Sequence, residues 1–155
     1  MADQGAFPVG WQAFDDRGFV AHVGPVYHRT VDGRRDFAFR AEDKHANLIG
    51  IVMGGMLVTF ADRALGICAI EAAGGANCVT VQLDTQFIGA GRIGELIETT
   101  PEVVTRSASM VFLRAVVTSG ERTLCAVSGI WKILRDKGES GDGDKSSDGN
   151  GGGAG

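Results

Sequence analysis

Between Cys78 and Phe87 the chain alternates. Val79, Val81, Leu83, Thr85 and Phe87 take the odd positions, and Thr80, Gln82, Asp84 and Gln86 the even ones. Successive side chains of a strand point to opposite faces, so a period of two predicts a half-buried β-strand with Thr80 on its polar side. Just upstream the period changes. Leu57, Phe60, Ala61, Ala64, Leu65, Cys68 and Ala72 recur at helical spacing between Gly54-Gly55 and Gly74-Gly75, and glycines suit a helix end. The only charges in that segment are Asp62, Arg63 and Glu71. A helix so apolar must be wrapped by other structure.

The rest of the pattern supplies the wrapping. Val20 to Thr30 and Arg34 to Ala41 are strand-like runs around Val31-Asp32-Gly33, and Asp-Gly between β-prone runs predicts a hairpin. Before them, the apolar spacing of Phe7 to Gly18 allows a short helix. Glu42 to Gly50, polar and holding His45 and Asn47, reads as a loop. Three further β-rich runs follow, Leu96 to Arg106, Ala108 to Thr118 and Thr123 to Leu134, with turn-like joints between them. A hairpin, one buried helix and four strands predict an α+β domain, its antiparallel sheet curled around one long central helix.

Composition bounds this picture. From residue 137 onward the chain is Gly, Ser, Asp and Lys with hardly any aliphatic side chain, and such a segment cannot offset its ordering entropy by burial. The expected organisation is one domain over residues 1–136 and a disordered tail over 137–155. A chain of 155 residues, 44% hydrophobic and 22% charged, has material for one core. Its formal net charge of -4 and lack of a basic stripe argue against a nucleic-acid partner. Arg34-Arg35 stands between Asp32 and Asp36 and reads as a solvated turn.

Cys68, Cys78 and Cys125 are widely spaced among apolar residues. They read as reduced core residues, not as a disulfide or metal set. The longest mostly apolar run, Leu48 to Ala61, is about 14 residues, short of the roughly 18 that suggest a membrane span. No basic region followed by an apolar one opens the chain. A cytoplasmic protein without a membrane partner is expected.

One stretch carries chemistry. Asn47-Leu48-Ile49-Gly50-Ile51-Val52-Met53-Gly54-Gly55, then an apolar helix with Asp62 two turns in, resembles the signature of phenylacetate-pathway-type hotdog thioesterases. That signature reads N-x-x-G, then H-G-G, then a helix bearing an acid. A weaker likeness runs from Phe19 to Leu134. The resemblance implies a hotdog fold and hydrolysis of a small or medium acyl-CoA to free acid and coenzyme A. It implies no cofactor, no metal, and a homo-oligomer that is a dimer at least, with a tetramer left open.

That chemistry gives the residues a physical sense. Attack on a thioester carbonyl builds negative charge on oxygen, and preorganised donors lower the barrier. A helix start supplies free N–H groups and a positive dipole end, and Gly54 and Gly55 let a carbonyl approach that backbone. Asn47 adds a side-chain amide contact or positions water. Asp62 is either the general base for water or the nucleophile. Thr80 is where similar thioesterases place a hydroxyl near the attacking water. His45 and Met53 are assigned to substrate binding. Met53 departs from the family, standing where the H-G-G histidine is usual, and a thioether donates no hydrogen bond.

Spacing adds a constraint. Gly54 and Asp62 are eight positions apart, about 12 Å along a helix. One carbonyl cannot touch both. If they serve one reaction they come from different chains, with the helices antiparallel across a two-fold axis. Each residue also has a plainer role: Asp62 as a carboxylate paired with an arginine, Asn47 as a turn residue, Gly54-Gly55 as a close packing point. Thr80 reads equally as a surface hydroxyl, and His22, His28 and His45 as solvated or structural. The rival activities are a hotdog enoyl-CoA hydratase or dehydratase, and a non-catalytic acyl-CoA-binding protein.

Overall fold

The computed structural model describes residues 7–135; the tail expected over 137–155 lies outside them. In chain order the elements are β1 (Gln12–Ala13), α1 (Gly18–Val23), β2 (Tyr27–Val31), β3 (Arg34–Arg40), a 3-10 turn (Asp43–His45), α2 (Gly54–Ala72), β4 (Cys78–Phe87), β5 (Leu96–Thr99), β6 (Glu102–Arg106), β7 (Met110–Ser119) and β8 (Arg122–Ile133). All strand pairs are antiparallel, in the order β1-β2-β3-β5-β7-β8-β4, with β6 also on β7. The sheet curls around α2, as the sequence pattern leads one to expect.

The hairpin forms at its predicted turn: Asp32 (φ 50°) and Gly33 (φ 75°) both take left-handed backbone between β2 and β3. Its first strand is shorter than expected. Gly18–Val23 is helical, closed by the Gly24 N–H on the Val20 carbonyl at 2.7 Å, and the strand begins only at Tyr27. No helix forms between Phe7 and Gly18 either. There Phe14 lies against His28 (ring centroids 4.2 Å apart) and Phe37 (6.0 Å), while the Arg29 guanidinium covers Trp11. Aromatic packing onto the hairpin therefore wins over local helical spacing, and the segment runs as an extended strap.

The run from Leu96 to Arg106 splits in two. Pro101 has no N–H to give to a ladder, and around it the chain breaks into β5, which joins β3 to the end of β7, and β6, which pairs with the start of β7. Five strands, not four, thus follow the helix. Arg35 also leaves its expected solvated turn: its guanidinium pairs with Glu71 on α2 and lies 3.2 Å from the His28 ring nitrogen.

The core lies between α2 and the sheet. Leu57, Phe60, Ala61, Ala64, Leu65 and Cys68 form the buried stripe, and Phe60 meets Phe39 with ring centroids 4.8 Å apart. β7 alternates as a half-buried strand should, with Val111, Leu113, Ala115 and Val117 turned inward. The cysteines are free, Cys68 and Cys125 buried. No helix among the described residues is long and apolar enough to cross a membrane.

Trp131 is 1% exposed and depends on two glycines. Its indole nitrogen lies 3.5 Å from where a Cβ on Gly66 of α2 would stand. On its own strand, a Cβ on Gly129 would come within 2.7 Å of both the ring and the Gln82 carbonyl oxygen. That carbonyl belongs to a paired strand and cannot retreat. Gly129→Ala is therefore expected to cost about 1–3 kcal/mol of stability, the usual range for overpacking. A urea midpoint unchanged from the parent would contradict this packing.

The pairing of β4 with β8 contains one irregularity. Thr80 lies opposite Trp131 and Gln82 opposite Ile130, so Val81 is an extra, bulged residue. Before the bulge, Cys78 and Thr80 share the helix-facing side with Ile133 and Trp131; after it, Leu83, Thr85 and Phe87 take that side. Strict alternation put Thr80 with Gln82 and Asp84 on the polar face. The bulge reverses this and aims Thr80 at α2.

Candidate functional site

The start of α2 is built by the loop before it. Asn47 opens a turn in which its carbonyl accepts from the Gly50 N–H at 3.0 Å and its own N–H donates to the Ile51 carbonyl at 2.8 Å. Its side-chain Oδ1 accepts from the N–H groups of Ile49 (3.0 Å) and Ile51 (3.2 Å). The oxygen is therefore spent on the turn, and the Nδ2 group remains as a donor. The plainer role of Asn47, as a turn residue, is thus filled by its oxygen.

His45 fixes the other end of that loop. It is 4% exposed. Its Nδ1 accepts from the Glu42 N–H at 2.9 Å, and its Nε2 donates to the Val23 carbonyl at 2.6 Å. The His45 carbonyl accepts from the Met53 N–H at 2.8 Å, which sets the entry into α2. With both ring nitrogens engaged, any contact of His45 with a ligand runs through its ring carbons.

Met53 occupies the N-cap position, and no side chain caps the helix. Among the described residues neither the Gly54 nor the Gly55 N–H meets an acceptor. These two donors sit at the positive end of a 19-residue helix. A Cβ on residue 54 would come 3.1 Å from the Phe87 ring, so a side chain there would press on that ring and shift it by a few tenths of an ångström. Asn47 and Gly54 border one open cleft of about 310 Å³ together with Leu57, Phe87 and Ile88. Phe87 was legible only as an apolar position of its strand; nothing in its spacing announced a place beside the motif.

Asp62 and Thr80 form a separate pair. The Thr80 hydroxyl donates to Asp62 Oδ1 at 2.7 Å. The neighbouring Arg63 does not serve Asp62. Its Nε donates to Asp16 Oδ1 at 2.9 Å, and its guanidinium lies over the Phe14 ring at 4.8 Å. The ion pair that would have made Asp62 purely structural is thus absent among the described residues. One carboxylate oxygen is held by a hydroxyl, and the other has no hydrogen-bond partner among the described residues.

Within one chain, then, the structure gathers Asn47 with Gly54 and Asp62 with Thr80, but not the two pairs with each other. Two turns of helix, about 12 Å, separate them.

The two buried thiols are held protonated. Burial, then the Glu71 charge, pushes the Cys68 thiol up to about 12, and burial pushes Cys125 up to about 11, so neither supplies a thiolate near neutrality. Burial and then the Arg35 charge hold His28 below its ordinary range, and its ring is occupied by Phe14 and Arg35. Among the described residues no three His, Cys, Asp or Glu side chains converge to hold a metal ion.

Known proteins share this architecture. The thioesterase superfamily model matches residues 49–126, a stretch that includes Gly54, Gly55, Asp62 and Thr80. A candidate esterase of Pseudomonas aeruginosa is 33% identical over 130 residues, spanning 81% of this chain and 96% of that protein. A solved hypothetical thioesterase of Streptococcus pneumoniae, crystallised with coenzyme A, aligns at a TM-score of 0.64 and 21% identity, covering 70% of this chain and 87% of that one. The Escherichia coli PaaI protein of the phenylacetic acid degradation operon aligns at a TM-score of 0.66 and 15% identity, covering 74% and 83%. With the matched stretch, the relative and the sheet wrapped around α2 all in agreement, the chain belongs to the thioesterase superfamily and has its hotdog fold.

Proposed function

We propose that the chain hydrolyses small or medium acyl-CoA thioesters, with each active site shared between two copies. The observation that carries this reading is the division of labour along α2. The Gly54 and Gly55 N–H groups are unpaired at its start, Gly54 sharing a cleft with Asn47, and a hydroxyl-held Asp62 carboxylate stands two turns on. The first group suits a developing oxyanion; the second suits activation of water. The coenzyme A bound by the Streptococcus pneumoniae neighbour supports the substrate class.

The free edge of the sheet supports the pairing. β4 is ten residues long, and its Val79, Val81 and Phe87 side chains are 45%, 55% and 57% exposed in a single chain. A long apolar edge strand calls for a cover. Pairing β4 with its copy about a two-fold axis sets both the strands and the two α2 helices antiparallel. Asp62 of one copy then approaches the helix start of the other.

In this site Asp62 takes a proton from water as the water oxygen bonds to the carbonyl carbon. Thr80, donating to Oδ1, leaves Oδ2 to act as the base. The carbonyl oxygen becomes an oxyanion held by the Gly54 or Gly55 N–H and by Asn47 Nδ2 of the other copy. As the carbonyl re-forms, the C–S bond breaks, and coenzyme A leaves and takes up a proton.

The test is release of free thiol from a panel of acyl-CoAs, from acetyl to decanoyl and including phenylacetyl. At least one member is expected to turn over at about 1 s⁻¹ or faster. Tight binding with no thiol release across the panel would instead mark a non-catalytic binder. Hydration of an enoyl-CoA without thiol release would mark a hydratase.

A further inference from the structure

Two clefts meet at the start of α2. Asn47 and Gly54 border the first. A second, also about 310 Å³, lies on the Gly55 side between α1, the 3-10 turn and α2, with Phe19, Val23, Met53 and Met56 in its wall. Apart from the Gly55 N–H at its edge, the polar groups that touch this second cleft are side chains engaged elsewhere. His45 spends both ring nitrogens on backbone. The Thr59 hydroxyl donates to the Gly55 carbonyl at 2.9 Å, and the Lys44 ammonium donates to the Gly24 carbonyl and lies 3.3 Å from the Glu42 carboxylate. What faces the cleft is hydrocarbon, ring edge and thioether. Such a lining receives an apolar group and penalises one that needs hydrogen bonds.

The first cleft differs. It has the spare Asn47 amide. An arm made of amides finds a donor there. A thioester carbonyl at Gly54 and Gly55 has one of these clefts on each side.

We infer that the Met53 cleft takes the acyl group, the Asn47 cleft takes the pantetheine arm, and Met53 sets the acyl length accepted. Met53 is 56% exposed, and its methyl lies 3.8 Å from where a Cβ on Gly55 would stand, so its side chain reaches across the mouth of the cleft. A thioether on three rotatable bonds swings aside readily and packs against aliphatic or aromatic surface alike. Its side chain makes no capping bond, so replacing it leaves the helix start intact. This assignment rests on the acyl-CoA reading of the site.

The test uses Met53→Ala, which opens the mouth, and Met53→Trp, which fills it. Relative to acetyl-CoA, Met53→Ala is expected to raise kcat/KM for decanoyl-CoA about tenfold or more, and Met53→Trp to lower it by a similar factor, the range of a few methylenes gained or lost in an apolar pocket. Inhibition by free coenzyme A should stay within about twofold in both variants, because its arm lies on the other side of the helix start. Equilibrium binding of S-decyl-CoA, a thioether that cannot be hydrolysed, reads the subsite without turnover and should follow the same order. Thiol release by the parent with length preference unmoved in both variants would overturn the subsite and leave hydrolysis standing. Met53-dependent binding of S-decyl-CoA with no thiol release would do the reverse. Inhibition by free coenzyme A that moves with Met53 would show that the two arms are placed the other way round.

Discussion

Asp62→Asn is expected to keep the fold and to lower thiol release about 10²–10⁴-fold, the range for loss of a general base. The amide retains an oxygen at the Oδ1 position, so the Thr80 hydroxyl keeps its acceptor at 2.7 Å. It has no basic oxygen to take a proton. The loss should therefore fall on kcat with KM little changed, the mark of an interaction made only in the transition state. Circular dichroism and the melting temperature establish that the variant is folded. Near-parental turnover from a folded Asp62→Asn protein would remove Asp62 from the chemistry.

The second large effect is a recovery. Asn47→Asp preserves the oxygen that accepts from Ile49 and Ile51 and replaces the free amide with a carboxylate. It keeps the turn while turning a donor toward the oxyanion into a repulsion. Alone, it should lose most activity, as removal of an oxyanion donor does. Mixed with Asp62→Asn and co-refolded, it should regain turnover. In a heterodimer one shared site carries both defects and the other carries neither. Random mixing then returns up to about a quarter of the parental activity, because half the dimers are mixed and half their sites are intact. Simply mixing the folded variants without chain exchange should give nothing. Verified heterodimers that stay inactive would place each site within one chain.

Much of the fold was legible because its strongest signals were local. The apolar stripe from Leu57 to Cys68 and the Asp32-Gly33 turn each have one structural solution, and each formed where the pattern put it. Two of the misreadings have their source in contacts made far along the chain. Phe14 packs on His28 and Phe37, which no local period records. Val20 to Val23 has strand-like composition but turns helical against α2. For the site, the motif marked the helix start and the acid, whereas the contact between them and β4 was hidden. Thr80 reaches Asp62, and Phe87 reaches Gly54, only through the register of β4 on β8.

The extra residue in β4 has a consequence for how the strand tolerates change. In a regular strand the aim of every side chain is locked to that of every other, since each step reverses the face. The inserted Val81 breaks that lock between Thr80 and Gln82. Cys78 to Thr80 and Gln82 to Phe87 are thereby phased independently, the first stretch presenting a hydroxyl to Asp62 and the second turning Leu83, Thr85 and Phe87 to the helix side of the sheet. Removing the insertion forces a choice between the two, because one phase cannot satisfy both. Retaining it lets residues on either side vary in size without rotating the hydroxyl away from the acid.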